Sequence, residues 1–82
     1  MSPVWRSRLA RLRVLSGSEV CLVLAARGFT EVKQRGRHFV MQKRQGATTV
    51  TVSVPNYSEL RISTLQSVIR QSGLKRKLFE IS

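Results

Sequence analysis

Hydrophobic and polar residues alternate most regularly over residues 48–54, where valine occupies every second position and threonine or serine lies between. A period of two residues predicts a strand with one buried face and one hydrated face. Residues 29–34 and 38–44 are also rich in strand-forming side chains and alternate less regularly. Gly36 and residues 45–47 separate the three segments and have the composition of turns. The pattern therefore predicts an antiparallel sheet of three strands, covered on one side.

A helix is predicted before the first strand, because several end signals agree. Ser16 and Glu19 have the spacing of a capping box, in which each residue bonds the backbone of the other. Leu15 and Val20 occupy the positions of a hydrophobic staple around this cap. The apolar pattern then continues until Gly28, which is the residue type that most often follows the end of a helix.

A second helix is predicted after the third strand, which Pro55 ends. Ser63 and Gln66 have capping-box spacing, and Gly73 closes the segment. The buried stripe of this helix is expected to consist of Leu65, Val68 and Ile69. The predicted class is thus α+β, in the order α-β-β-β-α, with both helices on the valine face of the sheet because only that face needs covering.

The first thirteen residues differ in composition from the remainder. They carry several arginines and no acidic residue. Trp5, Leu9 and Leu12 have the spacing of one face of an amphipathic helix. We nevertheless expect residues 1–13 to be a basic, disordered extension, and residues 14–82 to form one domain.

The net charge of the chain gives information about its binding partner rather than about its fold. Fifteen lysines and arginines oppose four glutamates and no aspartate, which gives a formal charge of +11. So large an excess in 82 residues favours a polyanionic partner, and nucleic acid above all. A lone cysteine, Cys21, permits no internal disulfide or thiolate zinc cluster and fits the reducing cytoplasm. No metal site, cofactor or membrane span is expected, since the acids are isolated and no apolar run approaches roughly 20 residues.

The strongest candidate for chemistry is the turn that leads into the second strand. Gly36 permits a positive φ or a close approach to a ligand, and Arg35 and Arg37 flank it with guanidinium groups suited to phosphate oxygens. His38 follows at the start of the strand and is the only histidine in the chain. An imidazole suits proton transfer near neutral pH. Cationic side chains that bind phosphate, together with a histidine that transfers protons, are sufficient in principle to cleave RNA without a metal.

Attack of a ribose 2′-hydroxyl on the adjacent phosphate needs a base, an acid and cations for the developing charge. His38 is the predicted base, and Arg35, Arg37 and Lys43 are the predicted cations. The acid is open among Tyr57, Lys43 and water.

The basic residues fall into two clusters, which together suit binding to a nucleic-acid backbone without sequence preference. A basic domain of this element order is similar to double-stranded RNA binders, which recognise A-form shape. The predicted RNA-binding residues are Lys33, Arg35, Gly36, Arg37, Lys43 and Arg44 near the turn, and Arg70, Lys75, Arg76 and Lys77 after the second helix.

Six segments in a fixed order resemble the HicA family of bacterial toxins. They are residues 16–20, 27–29, 34–38, 52–55, 60–65 and 69–74. The resemblance implies a fold like that of double-stranded-RNA-binding domains, and metal-independent cleavage of mRNA with His38 as the catalytic residue. It also implies a HicB-type antitoxin that covers the His38 site. Two alternatives are an RNA-binding module of the same fold that does not cut, and a degenerate toxin retained as a partner of its antitoxin.

Overall fold

The computed structural model describes residues 11–81 of the chain. Helix α1 (Gly17–Ala26) precedes strands β1 (Thr30–Arg35), β2 (His38–Gln45) and β3 (Thr48–Pro55). Helix α2 (Ile62–Ser72) and a short 3-10 helix (Arg76–Phe79) complete the chain. The predicted α-β-β-β-α order is confirmed. Within residues 11–81, no helix is long and apolar enough to cross a membrane.

The three strands form one antiparallel sheet in the order β1-β2-β3. Val52 and Val54 are fully buried, whereas Thr51 and Ser53 are exposed, so the predicted alternation of β3 is confirmed. Side chains of both helices join these valines in a single core, which confirms that the helices share one face of the sheet. The other face carries no covering element among the described residues and is called the open face below. The helix-side core contains Val20 and Leu24 of α1, Met41 of β2, and Leu65, Val68 and Ile69 of α2.

The start of α1 has the predicted capping box. The Ser16 hydroxyl accepts a bond from the Glu19 amide at 3.1 Å, and the Glu19 carboxylate accepts one from the Ser16 amide at 2.8 Å. The bond from the Ser16 amide is the main cause that holds the pKa of Glu19 below its usual range, because it favours the charged carboxylate.

A pH-dependent contribution to stability follows from this cap. The folded pKa of Glu19 is depressed, so its contribution is present above pH about 4.5 and is lost as the pH falls through the folded pKa. We expect Glu19→Gln to melt below the wild type at pH 7, and the gap to narrow in acid. Thermal unfolding of both proteins between pH 7 and pH 3 measures this. A gap that stays constant over that range would contradict the role given to the charge.

The second helix begins near Ser63, as predicted, but the prediction that Ser63 caps it is wrong. The N-cap is Arg61, whose carbonyl accepts from the Leu65 amide at 2.9 Å and whose side chain makes no capping bond. Ser63 instead lies within the first turn. The cause is tertiary: Leu60 is buried and its amide donates to the Leu15 carbonyl at 2.8 Å, so the chain is already placed to enter the helix at Ile62. The helix ends at Gly73 in the left-handed region, as the sequence predicts.

Part of the predicted N-terminal extension packs against the C-terminal tail. Leu12 is buried and forms an isolated antiparallel bridge with Glu80. The Arg13 amide donates to the Phe79 carbonyl at 2.8 Å, beside the fully buried Phe79 ring. Residues 11–13 are thus part of the folded structure. Trp5 and Leu9, which share helical spacing with Leu12, lie outside the described residues, and Leu12 itself is extended.

Candidate functional site

A tight hairpin turn sets the position of His38. Gly36 and Arg37 are the only residues between β1 and β2, and Gly36 has a φ of +55°. Glycine at the first of two turn positions is the requirement of a type II′ hairpin, so the glycine serves the backbone. The Gln34 side chain adds a bond from its Nε2 to the Gly36 carbonyl at 3.4 Å. The turn delivers His38 as the first residue of β2.

Strand alternation places His38 on the open face. The next residue, Phe39, packs against the helix-side core, so His38 faces the opposite way. His38 is exposed, and its strand partners are Arg35 on β1 and Pro55 on β3. Residues directly opposite each other in an antiparallel pair have Cβ atoms roughly 5 Å apart on the same face. The imidazole and the Arg35 guanidinium therefore share one small area of the sheet.

The open face is cationic around His38. Lys33 lies opposite Val40, two positions along β2 from His38, and Arg37 lies in the adjoining turn. Both are exposed. No carboxylate stands at a position paired with His38, Val40, Gln42 or Arg44, the residues of β2 that face this way. An anionic ligand on this face would meet positive charge near the histidine without competition from an acid on the strands.

The end of β3 and the start of α1 meet at the same end of the sheet, a convergence that the sequence did not reveal. The Asn56 amide donates to the Arg37 carbonyl, which ties β3 to the turn. The Gly17 amide donates to the Tyr57 carbonyl at 2.8 Å. A Cβ built on Gly17 would overlap the carbonyl oxygen of Pro55. One signal for this contact was available: a glycine in the first turn of a helix, where its propensity is poor.

Tyr57 therefore lies near the His38 end of the sheet, with its side chain about half exposed (47%). Its only hydrogen bond among the described residues is through the backbone carbonyl, so the hydroxyl is available to solvent or to a ligand. No hydrogen bond links it to His38 within residues 11–81. Tyr57 therefore remains a candidate proton partner of His38, although the two side chains do not form a hydrogen-bonded pair within residues 11–81.

Lys43 does not lie with the other cations of the turn. It pairs with Val50 and faces the helix side of the sheet, where its Nζ lies 5.8 Å from the centre of the Phe29 ring. Lys43 is also five positions from His38 along the strand, a span of roughly 16 Å. The structure thus removes Lys43 from the expected set of catalytic cations and proton donors. Arg44 faces the open side but at the far end of β2, opposite Thr49.

The second basic cluster lies in the helical layer rather than on the open face. Arg70 is exposed near the end of α2, whose apolar side packs into the core. Arg76 forms an ion pair with Glu80 at 2.9 Å. Lys75 and Lys77 flank it and are exposed. Of the two predicted basic clusters, only the one at the turn contributes residues near His38, and these are Lys33, Arg35 and Arg37.

Within residues 11–81, no group of three or more histidine, cysteine or acidic side chains is placed to hold a metal ion. The described residues of the site offer an imidazole and a phenol hydroxyl for proton transfer, and arginine and lysine for charge stabilisation.

Comparison with known proteins identifies the family of the chain. The sequence model of a family described as HicA toxin of bacterial toxin-antitoxin matches residues 17–74, which is more than half of the 82-residue chain. The match begins at the first residue of α1 and extends past the end of α2, so it includes the whole sheet and the His38 turn. A search of curated proteins found no match. The chain belongs to the HicA toxin family of bacterial toxin–antitoxin systems.

Proposed function

We propose that this toxin is a metal-independent endoribonuclease that cleaves mRNA in the cytoplasm with His38 as its catalytic residue. The observation that carries the proposal is the pairing of exposed His38 with Arg35 on an open, cationic face of the sheet. Membership of a toxin family supports the same conclusion. A HicB-type antitoxin that covers the His38 site is the proposed partner.

The proposed reaction is an internal transesterification. A 2′-hydroxyl attacks the adjacent phosphorus, the bond to the 5′-oxygen breaks, and the products are a 2′,3′-cyclic phosphate and a 5′-hydroxyl. His38 takes the 2′-proton, or alternatively gives a proton to the leaving 5′-oxygen. Arg35 lies beside it to stabilise the additional negative charge on the phosphate oxygens. Tyr57 or water supplies the second proton-transfer group.

RNA binding divides between the two basic clusters in this proposal. Lys33, Arg35 and Arg37 hold the phosphates next to the scissile bond, with the turn at Gly36 setting their spacing. More distant contacts come from Arg44 at the far end of the open face and from the helical-layer cluster. The latter cluster consists of Arg70, Lys75, Arg76 and Lys77. Lys43 lies on the opposite side of the sheet, so it attracts RNA through its positive charge and does not contact the phosphates at the scissile bond.

The test is incubation of the purified protein with a long unstructured RNA in excess EDTA. We expect fragments to accumulate, with 5′-hydroxyl ends that accept phosphate from ATP and polynucleotide kinase without prior phosphatase treatment. Cyclic phosphates at the other ends are expected by mass spectrometry. Cleavage that appears only when Mg²⁺ is restored would contradict the metal-independent mechanism.

One observation favours a second function, which is RNA binding without cleavage. Neither nitrogen of the His38 ring takes part in a hydrogen bond within residues 11–81, so no hydrogen bond from these residues fixes the orientation of the imidazole. A pure binder would retard the RNA in a gel and leave it intact. Its affinity would fall with salt, with log K decreasing by about 0.7 per neutralised phosphate for each unit of log salt concentration on single strands.

A further inference from the structure

An apolar groove lies on the helix side of the sheet, between α1 and the first two strands. Its volume is about 470 Å³. Helix α1 contributes Ser18, Cys21, Leu22 and Ala25, which have the i, i+3, i+4, i+7 spacing of one helical stripe. Phe39 and Met41 lie opposite on β2. None of these residues belongs to the His38 site.

The groove exists because two helices do not cover three strands. Helix α2 packs over β3, and α1 lies over the middle of the sheet, so the β1 side is left open. All six residues of β1 are exposed. Leu22 is a large apolar residue that lines the groove, and it is 71% exposed.

The groove is suited to apolar side chains rather than to charged ligands. Burial raises the pKa of the Cys21 thiol to about 11, with a smaller contribution from the nearby Glu31 carboxylate. The thiol is therefore neutral at physiological pH and behaves as a small hydrophobe. Of the described residues that line the groove, only Glu31 is charged, and its sign is unfavourable for a nucleic acid.

The charge of the chain indicates what occupies this groove. A formal charge of +11 on the whole chain makes two copies repel each other and attracts an acidic protein. Membership of a toxin–antitoxin family requires one dedicated protein partner. We infer that an amphipathic segment of the acidic antitoxin inserts apolar side chains into the groove between α1 and β1. This inference rests on the antitoxin partnership of the proposed function and does not depend on RNA cleavage.

The position of the groove separates anchoring from inhibition. His38 and Phe39 are consecutive in β2 and face opposite sides of the sheet. A segment held in the groove therefore does not itself cover His38, and the antitoxin must continue around the exposed β1 edge to reach it. Substituting the exposed apolar residues of the groove should therefore change the stability of the isolated toxin little. The same substitutions should strongly weaken neutralisation of the toxin by its antitoxin.

The experiment compares Leu22→Arg with Ile62→Arg, both in a His38→Ala background that permits expression. Both residues are exposed helical side chains, at 71% and 64%, but Ile62 does not line the groove. The antitoxin encoded beside the toxin gene is titrated against each purified protein by calorimetry. We expect Leu22→Arg to weaken binding by about 30-fold or more, the level of an interface hot spot, and Ile62→Arg to leave it unchanged. Melting curves check that both variants are folded, and Ala25→Arg, also exposed in the groove, provides a second variant.

Each outcome decides a different claim. Equal antitoxin affinity for the wild-type and both groove variants would overturn the groove assignment while leaving the partnership intact. No binding by the unsubstituted chain would overturn the partnership and this inference together, without touching RNA cleavage. Dimerisation of the toxin alone that is lost in Leu22→Arg would identify a second copy as the occupant and overturn the inference. In the catalytically intact chain, Leu22→Arg is expected to cleave RNA normally and to arrest growth even when antitoxin is present.

Discussion

Replacing His38 with alanine is expected to reduce RNA cleavage by about a hundredfold to ten-thousandfold, the range that general acid–base catalysis contributes. The fold should not change, because His38 is exposed, starts a strand and makes no side-chain hydrogen bond within residues 11–81. RNA affinity should remain roughly the same, since Lys33, Arg35 and Arg37 still supply the charge. Initial rates of cleavage in EDTA and gel-shift affinities for the same RNA measure the two effects separately.

Two further variants make the result specific. His38→Gln keeps a polar side chain at the position and cannot exchange a proton near neutral pH, so it should be as inactive as the alanine variant. Thr49→Ala alters another exposed residue of the open face, at the end of the sheet remote from the turn, and should retain full activity. Undiminished cleavage by His38→Ala would remove the histidine from the mechanism. An equal loss of cleavage and of RNA affinity would indicate that His38 holds RNA rather than reacting with it.

The separation of binding from chemistry also bears on the degenerate-toxin alternative. A toxin kept only as a partner of its antitoxin would show neither growth arrest nor cleavage, with or without His38. Its apolar groove would be intact, because the groove lies on the side of the sheet opposite to His38. Its affinity for the antitoxin would therefore be unchanged. Cleavage and antitoxin binding measured on the same variants therefore distinguish the three functions considered for this fold.

Local patterns predicted the parts of the structure that depend on local interactions. The Ser16 cap, the valine face of β3 and the Gly36 turn each follow from residues within a few positions of one another. The orientation of Lys43 was also available from the sequence. His38 and Lys43 are an odd number of residues apart in one strand, so regular alternation places them on opposite faces. Lys43 is near His38 in the sequence, but this proximity does not place the two side chains on the same face of the sheet.

The remaining differences come from contacts between distant parts of the chain. Serine spacing suggested a cap at Ser63, but the bond between Leu60 and Leu15 fixes the entry to α2 earlier. Leu12 is buried by the C-terminal tail, nearly seventy residues away, and no local pattern carries that information. The apolar groove likewise reflects how two helices are distributed over three strands. Candidate residues and their strand faces could be derived from the sequence, whereas the contacts between distant segments required the fold.

Gly17 provides a case in which local propensity and tertiary structure predict opposite signs. Alanine favours a helix over glycine by roughly 1 kcal/mol, so the sequence alone suggests that Gly17→Ala should stabilise the protein. In the structure, the new Cβ would overlap the Pro55 carbonyl oxygen and lie 3.1 Å from the Asn56 Cα. These are backbone atoms that cannot rotate away. The start of α1 would have to move from the end of β3, which would strain the 2.8 Å bond from the Gly17 amide to the Tyr57 carbonyl.

We therefore expect Gly17→Ala to destabilise the domain by about 3 kcal/mol, the upper part of the range for overpacking, and to lower the melting temperature by more than about 10 °C. Gly46→Ala is the matched control, because Gly46 has a φ of +62° but no other atom of residues 11–81 lies within 4 Å of the position that a Cβ would take there. It should lose only about 1–2 kcal/mol, from backbone strain alone. Thermal and urea unfolding of the two variants compare them directly. A Gly17→Ala protein as stable as the wild type would show that α1 and β3 are not held in the close contact that brings Tyr57 to the His38 end of the sheet.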